Sequence, residues 1–285
     1  MASFFYRNKA FKVGGIFLAL LCCGCTNLFF QPTRDFPDNP NLSNFVHEEV
    51  HCTTPDGLKL HGWFLDGRGE HQGVILFLHG NAQNIGSHIN SVLWLAAAGY
   101  DVFAFDYRGY GRSEGRPSIA GVHQDAAAAL KFIAGEPPFA KEKIIIFGQS
   151  LGGAIAIYTA AHSPDRSRIA AVVADSAFSS YRLIAREKLR GICLTWPLQY
   201  PLSLLFNDDY SPDKCVRKMS PIPLLLLHGT GDRIVPFHHS EVLFKAALPP
   251  RELIKSEIAD HISSLGEQKT RGEMLDFLSK ALSGR

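Results

Sequence analysis

The chain contains 285 residues, of which 46% are hydrophobic and 20% are charged. This length fits one large or two small globular domains, and the composition excludes intrinsic disorder, which requires low hydrophobicity and high net charge. The formal net charge of +2 becomes −1 without residues 1–24, which contain three basic and no acidic residues. A near-neutral chain gives no electrostatic reason to expect a nucleic-acid partner.

The first 24 residues have the features of an export signal. Three basic residues lie within residues 1–12, and an apolar run of 11 residues extends from Val13 to Cys23. As a helix this run would be about 17 Å long, well short of the ~30 Å hydrocarbon core of a bilayer. We therefore predict that residues 1–24 form a signal peptide.

The end of this run resembles a bacterial lipobox, in which a small residue precedes a cysteine that becomes acylated. Gly24 is the small residue, and Cys25 is the predicted lipidation site. An uncleaved membrane anchor and an ordinary cleaved signal are the alternatives, and all three place the rest of the chain outside the cytoplasm. Because Thr26 stands where an inner-membrane retention signal has aspartate, the resemblance implies an exported, membrane-anchored protein at the outer membrane or periplasmic face.

Three of the six cysteines lie in or directly after the signal peptide, which leaves Cys52, Cys193 and Cys215. An odd number of cysteines has room for at most one disulfide here. Cys193 and Cys215 could pair in an oxidising compartment, and free thiols are the alternative. No group of cysteines and histidines has the spacing of a zinc site, so we predict no metal.

Residues 25–45 are polar and interrupted by prolines, which predicts a flexible tether. From residue 46 to 283, short apolar runs alternate with stretches of helical character. Runs such as Ile144–Phe147 are apolar at every position, which is typical of strands covered on both faces of a parallel sheet. The predicted strands are 46–52, 58–65, 73–79, 101–106, 143–148, 170–175, 223–228 and 251–258, and the predicted helices are 87–98, 118–134, 151–162, 238–247 and 265–282.

This alternation predicts an α/β domain with a doubly wound, mostly parallel sheet. The turn sequence Thr53–Gly57 separates the first two strands, which indicates an antiparallel hairpin at the start of the domain. Residues 181–221 break the alternation, because they are mixed apolar and proline-rich and too long for an ordinary connection. An insertion there would lie above the carboxyl ends of the strands, so we predict a short lid, with a peripheral excursion as the alternative.

The sequence Gly-x-Ser-x-Gly occurs twice, around Ser113 and around Ser150. A nucleophile elbow needs a strand that ends just before the serine and a helix that starts just after it. Ser150 follows a predicted strand directly and begins a helix of small residues, whereas Ser113 lies about seven residues beyond its strand, with no helix after it. We therefore predict that Ser150 is the nucleophile and that the Ser113 loop is structural or borders the substrate.

A serine nucleophile needs a base, and the base needs an orienting acid. In this arrangement the acid and then the base follow later strands. Asp232 follows the strand that ends near residue 228, and His261 follows the last strand, so they are the predicted acid and base. Asp175 is the alternative acid, and His238 and His239 are interpreted as solvated residues at a helix start.

The remaining part of such a site is an oxyanion hole made of backbone N–H groups. His79-Gly80-Asn81 follows a buried strand and precedes a helix, so we assign the two donors to Asn81 and Leu151. His79 could be mistaken for a base, but a structural role in this loop is the favoured interpretation.

Taken together, five motifs occur in a characteristic order along residues 45–283. They are His79-Gly-Asn, Phe105-Asp-Tyr-Arg-Gly-Tyr-Gly-Arg-Ser113, Gly148-Gln-Ser-Leu-Gly-Gly153, His228-Gly-Thr-Gly-Asp232 and Asp260-His261. The chain resembles serine hydrolases of the α/β-hydrolase fold, in the branch of serine aminopeptidases and monoacylglycerol lipases that includes proteins related to depalmitoylating esterases. The motifs are specific for the fold and weak on substrate.

The resemblance implies hydrolysis of a carboxylic ester or thioester through an acyl-enzyme, without a metal or organic cofactor. A small acyl ester or lipid-derived molecule is the expected substrate, and the N-terminal anchor makes the membrane the expected partner. Peptidase activity and acyl transfer to an acceptor other than water are alternatives on the same fold. A non-catalytic binding lipoprotein is a third alternative, although such a protein is expected to have lost a residue of the triad.

Overall fold

A central sheet of eight strands forms the framework of the computed structural model, which describes residues 30–257 and 260–284. Two further strands of two residues each, Gln31–Pro32 (β1) and Ala82–Gln83 (β5), pair with one another outside this sheet. The strands of the central sheet are β2 (His47–Thr53), β3 (Lys59–Leu65), β4 (Gly73–Leu78), β6 (Tyr100–Phe105), β7 (Ile144–Gln149), β8 (Ile169–Asp175), β9 (Leu224–Gly229) and β10 (Arg251–Ser256).

The strands lie in the order β10-β9-β8-β7-β4-β6-β3-β2. The pairs β2–β3 and β3–β6 are antiparallel, and the other neighbours are parallel. After β4 the chain adds β6 on one side and then β7, β8, β9 and β10 in succession on the other, which confirms the predicted doubly wound, mostly parallel sheet. The antiparallel pair β2–β3 is the predicted initial hairpin.

Helices cover both faces of the sheet, and four of the five predicted ones are continuous. The fifth, predicted over 87–98, is broken by a 3₁₀ turn at Ile89–Ser91. Asn90 and Ser91 are poor helix formers because their side chains compete for backbone hydrogen bonds, which explains the break. The α-helices of the described chain are α1 (Ile85–His88), α2 (Leu93–Ala97), α3 (Ile119–Gly135), α4 (Leu151–His162), α5 (Tyr181–Arg190), α6 (Gln199–Ser203), α7 (His238–Ala246) and α8 (Gln268–Ser283).

Two hydrophobic cores lie on opposite faces of the sheet, and successive residues of the central strands alternate between them. In β7, Ile144 and Ile146 enter one core, whereas Ile145 and Phe147 enter the other. All four side chains are fully buried. Burial of each such side chain contributes about 1.5–3 kcal/mol, so an unbroken apolar run is the sequence that stabilises a strand in this position.

Residues 30–45, which we call the docked segment, lie on the domain. The backbone N–H of Gln31 donates a hydrogen bond to the carbonyl oxygen of Asn81 at 3.2 Å. Phe30 and Leu42 are only 2% and 7% exposed. The prediction of a flexible tether is therefore wrong for this part of the chain, because it pairs with β5 and buries side chains. The signal peptide and Cys25 lie outside the described residues.

The predicted lid over 181–221 divides into two parts. Its first part contains α5, a 3₁₀ turn at Trp196–Leu198, and α6, which contacts α5. Its last part, the 3₁₀ turns Pro212–Lys214 and Val216–Met219, packs against α4 and so belongs to the body of the domain. Within the ranges that the structure describes, no helix combines the length and apolarity needed to cross a membrane.

Cys52, Cys193 and Cys215 are free thiols. Cys52 and Cys215 are buried, and burial raises the pKa of each to about 12, so both stay protonated at neutral pH. Cys193 is exposed on the lid. Of the two possibilities for Cys193 and Cys215, the structure contains the free thiols.

Candidate active site

Ser150 occupies a sharp turn between β7 and α4. Its backbone has φ 55° and ψ −113°, a conformation that a non-glycine residue adopts at a cost of about 1–3 kcal/mol. The turn is held by the backbone N–H of Ser150, which donates to the carbonyl oxygen of Asp175 at 2.8 Å. Ser150 is 8% exposed and lies on the wall of a pocket.

The glycines around Ser150 allow the helix to approach the sheet closely. A Cβ on Gly152 would lie 1.9 Å from the carbonyl oxygen of Leu78, and a Cβ on Gly148 would lie 2.1 Å from that of Gly152. Both distances are far below van der Waals contact with rigid backbone atoms. The turn therefore requires glycine at both positions.

Asp232 follows β9, and His261 follows β10 on the neighbouring strand. The Nδ1 of His261 lies 2.7 Å from Oδ2 of Asp232. Because an ionised carboxylate only accepts hydrogen bonds, Nδ1 carries the proton, and Nε2 of the neutral ring is free to accept one. His261 and Ser150 line the same pocket, so the structure brings the predicted base and nucleophile together.

Several donors hold Asp232 in its ionised form. Its Oδ1 accepts the backbone N–H groups of Ile234 and Val235, each at 2.8 Å, and Nε2 of His228 lies 3.3 Å from Oδ2. Burial alone raises the pKa of Asp232, but the hydrogen bonds from His228 and His261 outweigh it and hold this pKa well below its ordinary value. Asp232 is therefore a stable negative charge beside the imidazole.

The alternative acid, Asp175, has a different partner. It is fully buried, and its Oδ2 accepts a hydrogen bond from the side-chain amide of Gln149 at 3.0 Å. Burial raises the pKa of Asp175 to about 6. Because His261 donates to Asp232, the geometry favours Asp232 as the orienting acid.

The predicted oxyanion donors lie on either side of Ser150. Leu151 is the first residue of α4, where a backbone N–H has no acceptor within the helix. Asn81 follows β4, and its carbonyl oxygen accepts the N–H of Gln31 at 3.2 Å and the hydroxyl of Tyr110 at 2.7 Å. Asn81 and Leu151 both line the pocket that contains Ser150.

His79 has the structural role that its position predicts. It is completely buried, and its Nδ1 lies 2.7 Å from the carbonyl oxygen of Gly80. Burial holds the pKa of His79 well below its ordinary value, so the ring stays neutral and fixes the loop.

The pocket has a volume of about 570 Å³, within the usual range for small-molecule sites. Ile184, Ala185 and Lys188 of α5 form part of its wall. The lid is therefore a wall of the candidate site and not a peripheral excursion. Lys188 is the charged residue of the lining, and in the described part of the chain no aspartate or glutamate lines the pocket.

Two supporting residues were not identified from the sequence. His228, four residues before Asp232, supports that carboxylate, and its position in the motif does not indicate this role. Ser176 accepts the backbone N–H of Ile262 at 3.2 Å, and Ile262 has a positive φ of 49° directly after His261. No sequence signal connects Ser176 and Ile262, because they are 86 residues apart.

Glu187, His238 and His239 form a group of potential metal ligands whose atoms lie within 4.8 Å of one another. The backbone N–H of Ser179 donates to Nδ1 of His239 at 3.0 Å, so the neutral ring carries its proton on Nε2. That Nε2 lies 3.1 Å from Glu187 and donates to it, which leaves no lone pair for a metal. The group instead connects α5 with α7.

His238 and His239 begin α7 as predicted, but the prediction that both are solvated is wrong for His239. Its side chain is completely buried between Ser179 and Glu187. Burial lowers the pKa of His239 to about 4, which agrees with the neutral form.

Comparisons with known proteins agree with this architecture. The family model described as serine aminopeptidase, S33, matches residues 69–219. The chain is 35% identical to the uncharacterized protein YfhR of Escherichia coli over 243 residues, which cover 83% of this chain and 82% of that protein. It is 32% identical to the α/β hydrolase domain-containing protein WAV2 of Arabidopsis thaliana over 260 residues, 87% of this chain and 82% of that one.

Among solved structures, the Pyrococcus furiosus esterase Pf2001 has a TM-score of 0.70 and 24% sequence identity, and the match covers 88% of this chain and 97% of that one. This likeness supports the fold. The sequence relatives and the family model show more, and the chain belongs to the serine aminopeptidase S33 family of α/β-fold hydrolases.

Proposed function

We propose that this protein is a serine hydrolase that cleaves carboxylic esters or thioesters through an acyl-enzyme intermediate. The observation that carries the proposal is the juxtaposition of a strained Ser150 turn with an Asp232–His261 pair in one pocket. Strain of this kind persists only where the surrounding structure imposes it, and it is concentrated at active sites. The proposed roles are nucleophile for Ser150, general base for His261 and orienting acid for Asp232.

The first half of the reaction forms the acyl-enzyme. Nε2 of His261 takes the proton of Ser150 as its Oγ bonds to the acyl carbon. The N–H groups of Asn81 and Leu151 stabilise the oxyanion of the tetrahedral intermediate, and Asp232 stabilises the imidazolium. The bond to the leaving group then breaks, and His261 gives its proton to the departing alcohol or thiol.

The second half releases the acid. His261 takes a proton from water while the water oxygen bonds to the acyl carbon. The ester bond to Ser150 breaks, and Oγ regains its proton from His261. The overall change is one water consumed, one acid and one alcohol or thiol released.

The pocket lining favours an acyl ester over a peptide N-terminus. An aminopeptidase has to bind the α-ammonium group of its substrate, and a carboxylate is the natural partner for that charge. In the described residues the only charged group on the lining is the ammonium of Lys188, beside apolar side chains such as Phe178 and Ile234. These groups suit an acyl chain.

A substrate panel tests the proposal. We expect the purified full chain to hydrolyse p-nitrophenyl esters of graded acyl length and to leave aminoacyl p-nitroanilides essentially intact. A fluorophosphonate probe should compete with the preferred ester. Hydrolysis of the anilides at rates similar to the esters would establish peptidase activity instead.

We also propose that acylated Cys25 anchors the enzyme to a membrane, on the basis of the lipobox resemblance. Cys25→Ala should abolish labelling by a palmitate analogue and release the protein from membranes with its hydrolase activity intact. Protein that stays membrane-bound and keeps its leader after this substitution would indicate the uncleaved anchor, and release of wild-type protein would indicate an ordinary cleaved signal.

A further inference from the structure

The lid carries a concentrated apolar surface. Seven of the eleven exposed large hydrophobic residues of the described chain lie between Ile192 and Leu205, and we call these seven the lid patch. Leu194 is 79% exposed, Tyr200 65%, and Trp196 57%. Single exposed apolar side chains are ordinary, but a contiguous group of this kind marks an interaction surface.

The charges around the lid patch are mostly basic, and Asp213 is an acidic residue in the groove that Tyr200 and Leu204 line. Residues 188–206 contain no acidic residue. Apart from Lys188 on the pocket side, the adjoining helix α5 carries Arg182, Arg186 and Arg190, and its one acidic residue is held by α7 in the contacts described above. The guanidinium of Arg186 lies over the ring of Tyr200 at 5.1 Å. The lid patch is therefore apolar, and its border carries more basic than acidic residues.

The N-terminal part of the chain reaches the domain at the rim of the pocket. Gln31, near the start of the docked segment, lines the pocket beside Asn81. Five residue steps separate Phe30 from Cys25, so an anchor at Cys25 would keep Phe30 within about 18 Å of the lipid surface. This step rests on the proposed anchor, and it keeps the pocket rim near the membrane surface.

The lid helix α5 connects the pocket with the lid patch. Ile184, Ala185 and Lys188 face the pocket, and the chain that continues from α5 forms the lid patch. The lid therefore has one surface on the candidate site and another, apolar surface that the described chain leaves exposed.

We propose that the lid patch docks on the surface of a lipid bilayer with anionic headgroups. Trp and Tyr side chains favour the boundary between headgroups and acyl chains, and basic residues favour anionic headgroups. Docking buries the exposed apolar side chains and places the pocket where it can receive an acyl chain from the bilayer. Basic residues beside the patch and an anchor near the pocket rim favour a lipid surface over a water-soluble protein partner.

Depth-dependent quenching of tryptophan fluorescence tests this docking without reference to catalysis. The full chain is reconstituted into vesicles of phosphatidylcholine and phosphatidylglycerol, with and without bromine on the acyl chains. The chain has three tryptophans, and Trp63 is buried at 7% exposure. We expect most of the bromolipid quenching to disappear in Trp196→Phe and to persist in the matched variant Trp94→Phe.

A second pair of variants tests the surface itself. Leu194→Glu should strongly reduce the quenching of Trp196, whereas Val46→Glu, at an equally apolar position that is 73% exposed outside the patch, should leave it unchanged. Both substitutions are at exposed positions, so an unchanged Tm checks the fold. Vesicles without phosphatidylglycerol should bind the lid more weakly, by about fivefold for each basic residue engaged.

Equal quenching in Trp196→Phe and the wild type would overturn the proposal, and so would undiminished quenching in Leu194→Glu. If Leu194→Glu instead converts a dimer into a monomer and bromolipids never quench Trp196, the patch is a protein interface. If bromolipids quench Trp196 but the protein hydrolyses no ester, the docking proposal holds and the proposed function is wrong. Failure of the docking and failure of the proposed function are therefore distinguishable.

Discussion

Ser113 and Ser150 lie in the same five-residue pattern, Gly-x-Ser-x-Gly, and their surroundings differ in every respect that matters for reactivity. The hydroxyl of Ser113 is completely buried, donates to the carbonyl oxygen of Asp106 at 2.6 Å and accepts the N–H of His61 at 2.9 Å. Ser150 has a strained backbone and lines the pocket. One hydroxyl joins two backbone groups, and the other is presented to a cavity.

The difference arises from the segment of chain on the C-terminal side of each serine. After Ser150 a helix begins at once, and its close approach to the sheet forces the sharp turn. After Ser113 the chain continues as a loop until α3, so the serine turns inward and cross-links the loop. The short motif therefore does not define a nucleophile, whereas the strand and helix on either side of it do.

Removal of each serine hydroxyl should affect a different property of the protein. Ser150→Ala should reduce turnover of an ester substrate by about 10⁶ and abolish fluorophosphonate labelling, because the nucleophile is removed. Ser113→Ala should keep the labelling and lower the unfolding free energy by about 1–3 kcal/mol, since it leaves a buried N–H and carbonyl without partners. Labelling that survives Ser150→Ala and is lost in Ser113→Ala would reverse the assignment.

Substitutions of His261 and Asp232 should reduce turnover by different factors. His261→Ala should reduce turnover by about 10⁶, whereas Asp232→Asn should reduce it by about 10⁴, because the base is lost in one and only its orientation in the other. Steady-state kinetics with one ester measure both. If the alternative acid were correct, Asp175→Asn would cause the larger loss and Asp232→Asn would be nearly silent.

Alanine substitutions of glycines near Ser150 and near Ser113 should change the unfolding free energy by different amounts. Gly152→Ala should lower the unfolding free energy by more than about 3 kcal/mol, because its Cβ would meet the Leu78 carbonyl at 1.9 Å. Gly115→Ala in the Ser113 loop, with φ +83°, should cost about 1–2 kcal/mol, since the nearest atom is the flexible end of Leu58. Gly272→Ala, in α8 with open space around it, should stabilise by about 1 kcal/mol.

Urea denaturation of the three glycine variants gives these values, and soluble yield replaces it where a variant does not fold. If Gly152→Ala and Gly115→Ala lower the unfolding free energy equally, the close approach of Gly152 to the Leu78 carbonyl does not restrict the Ser150 turn as proposed.

The strands and the candidate triad could be predicted from the sequence because both depend on local signals. The apolar runs that become β4 and β7 have one physical explanation, burial on both faces. Ser150 and Asp232 each follow such a run, and His261 follows the last strand, β10, which lies at the edge of the sheet. Chain order then assigns their roles. The support of the site depends on contacts between distant residues, such as Ser176 with Ile262, and these leave no periodic pattern.

The docked segment shows a second limit of prediction from sequence, after the contacts between distant residues. Its pairing with β5 involves only two residues on each strand, and its composition of proline and polar residues is also that of a free linker. The lid patch shows a third limit, since an apolar residue in sequence is equally consistent with burial. Only the three-dimensional structure distinguishes the buried Phe206 from the exposed Leu204 and Leu205.

The two acids near His261 should change the stability of the protein with pH in opposite directions. Asp175 has a raised pKa in the folded protein, about 6, so the folded state binds its proton more tightly than the unfolded state. Its contribution to stability is therefore present below the unfolded pKa and is lost as the pH rises through about 6. Asp175→Asn removes this loss and should raise the unfolding free energy by about 2–3 kcal/mol above pH 7, with the gain vanishing toward pH 4.

Asp232 provides the control of opposite sign. Its pKa is lowered in the folded protein, so its stabilising contribution is present above the unfolded pKa and is lost as the pH falls through the folded value. Asp232→Asn should therefore be less stable than the wild type at neutral pH. Urea unfolding of the wild type and both variants from pH 4 to 8 measures the two differences. A difference for Asp175→Asn that stays constant over this range would mean that Asp175 does not change its protonation there, and that burial does not set its charge as the geometry indicates.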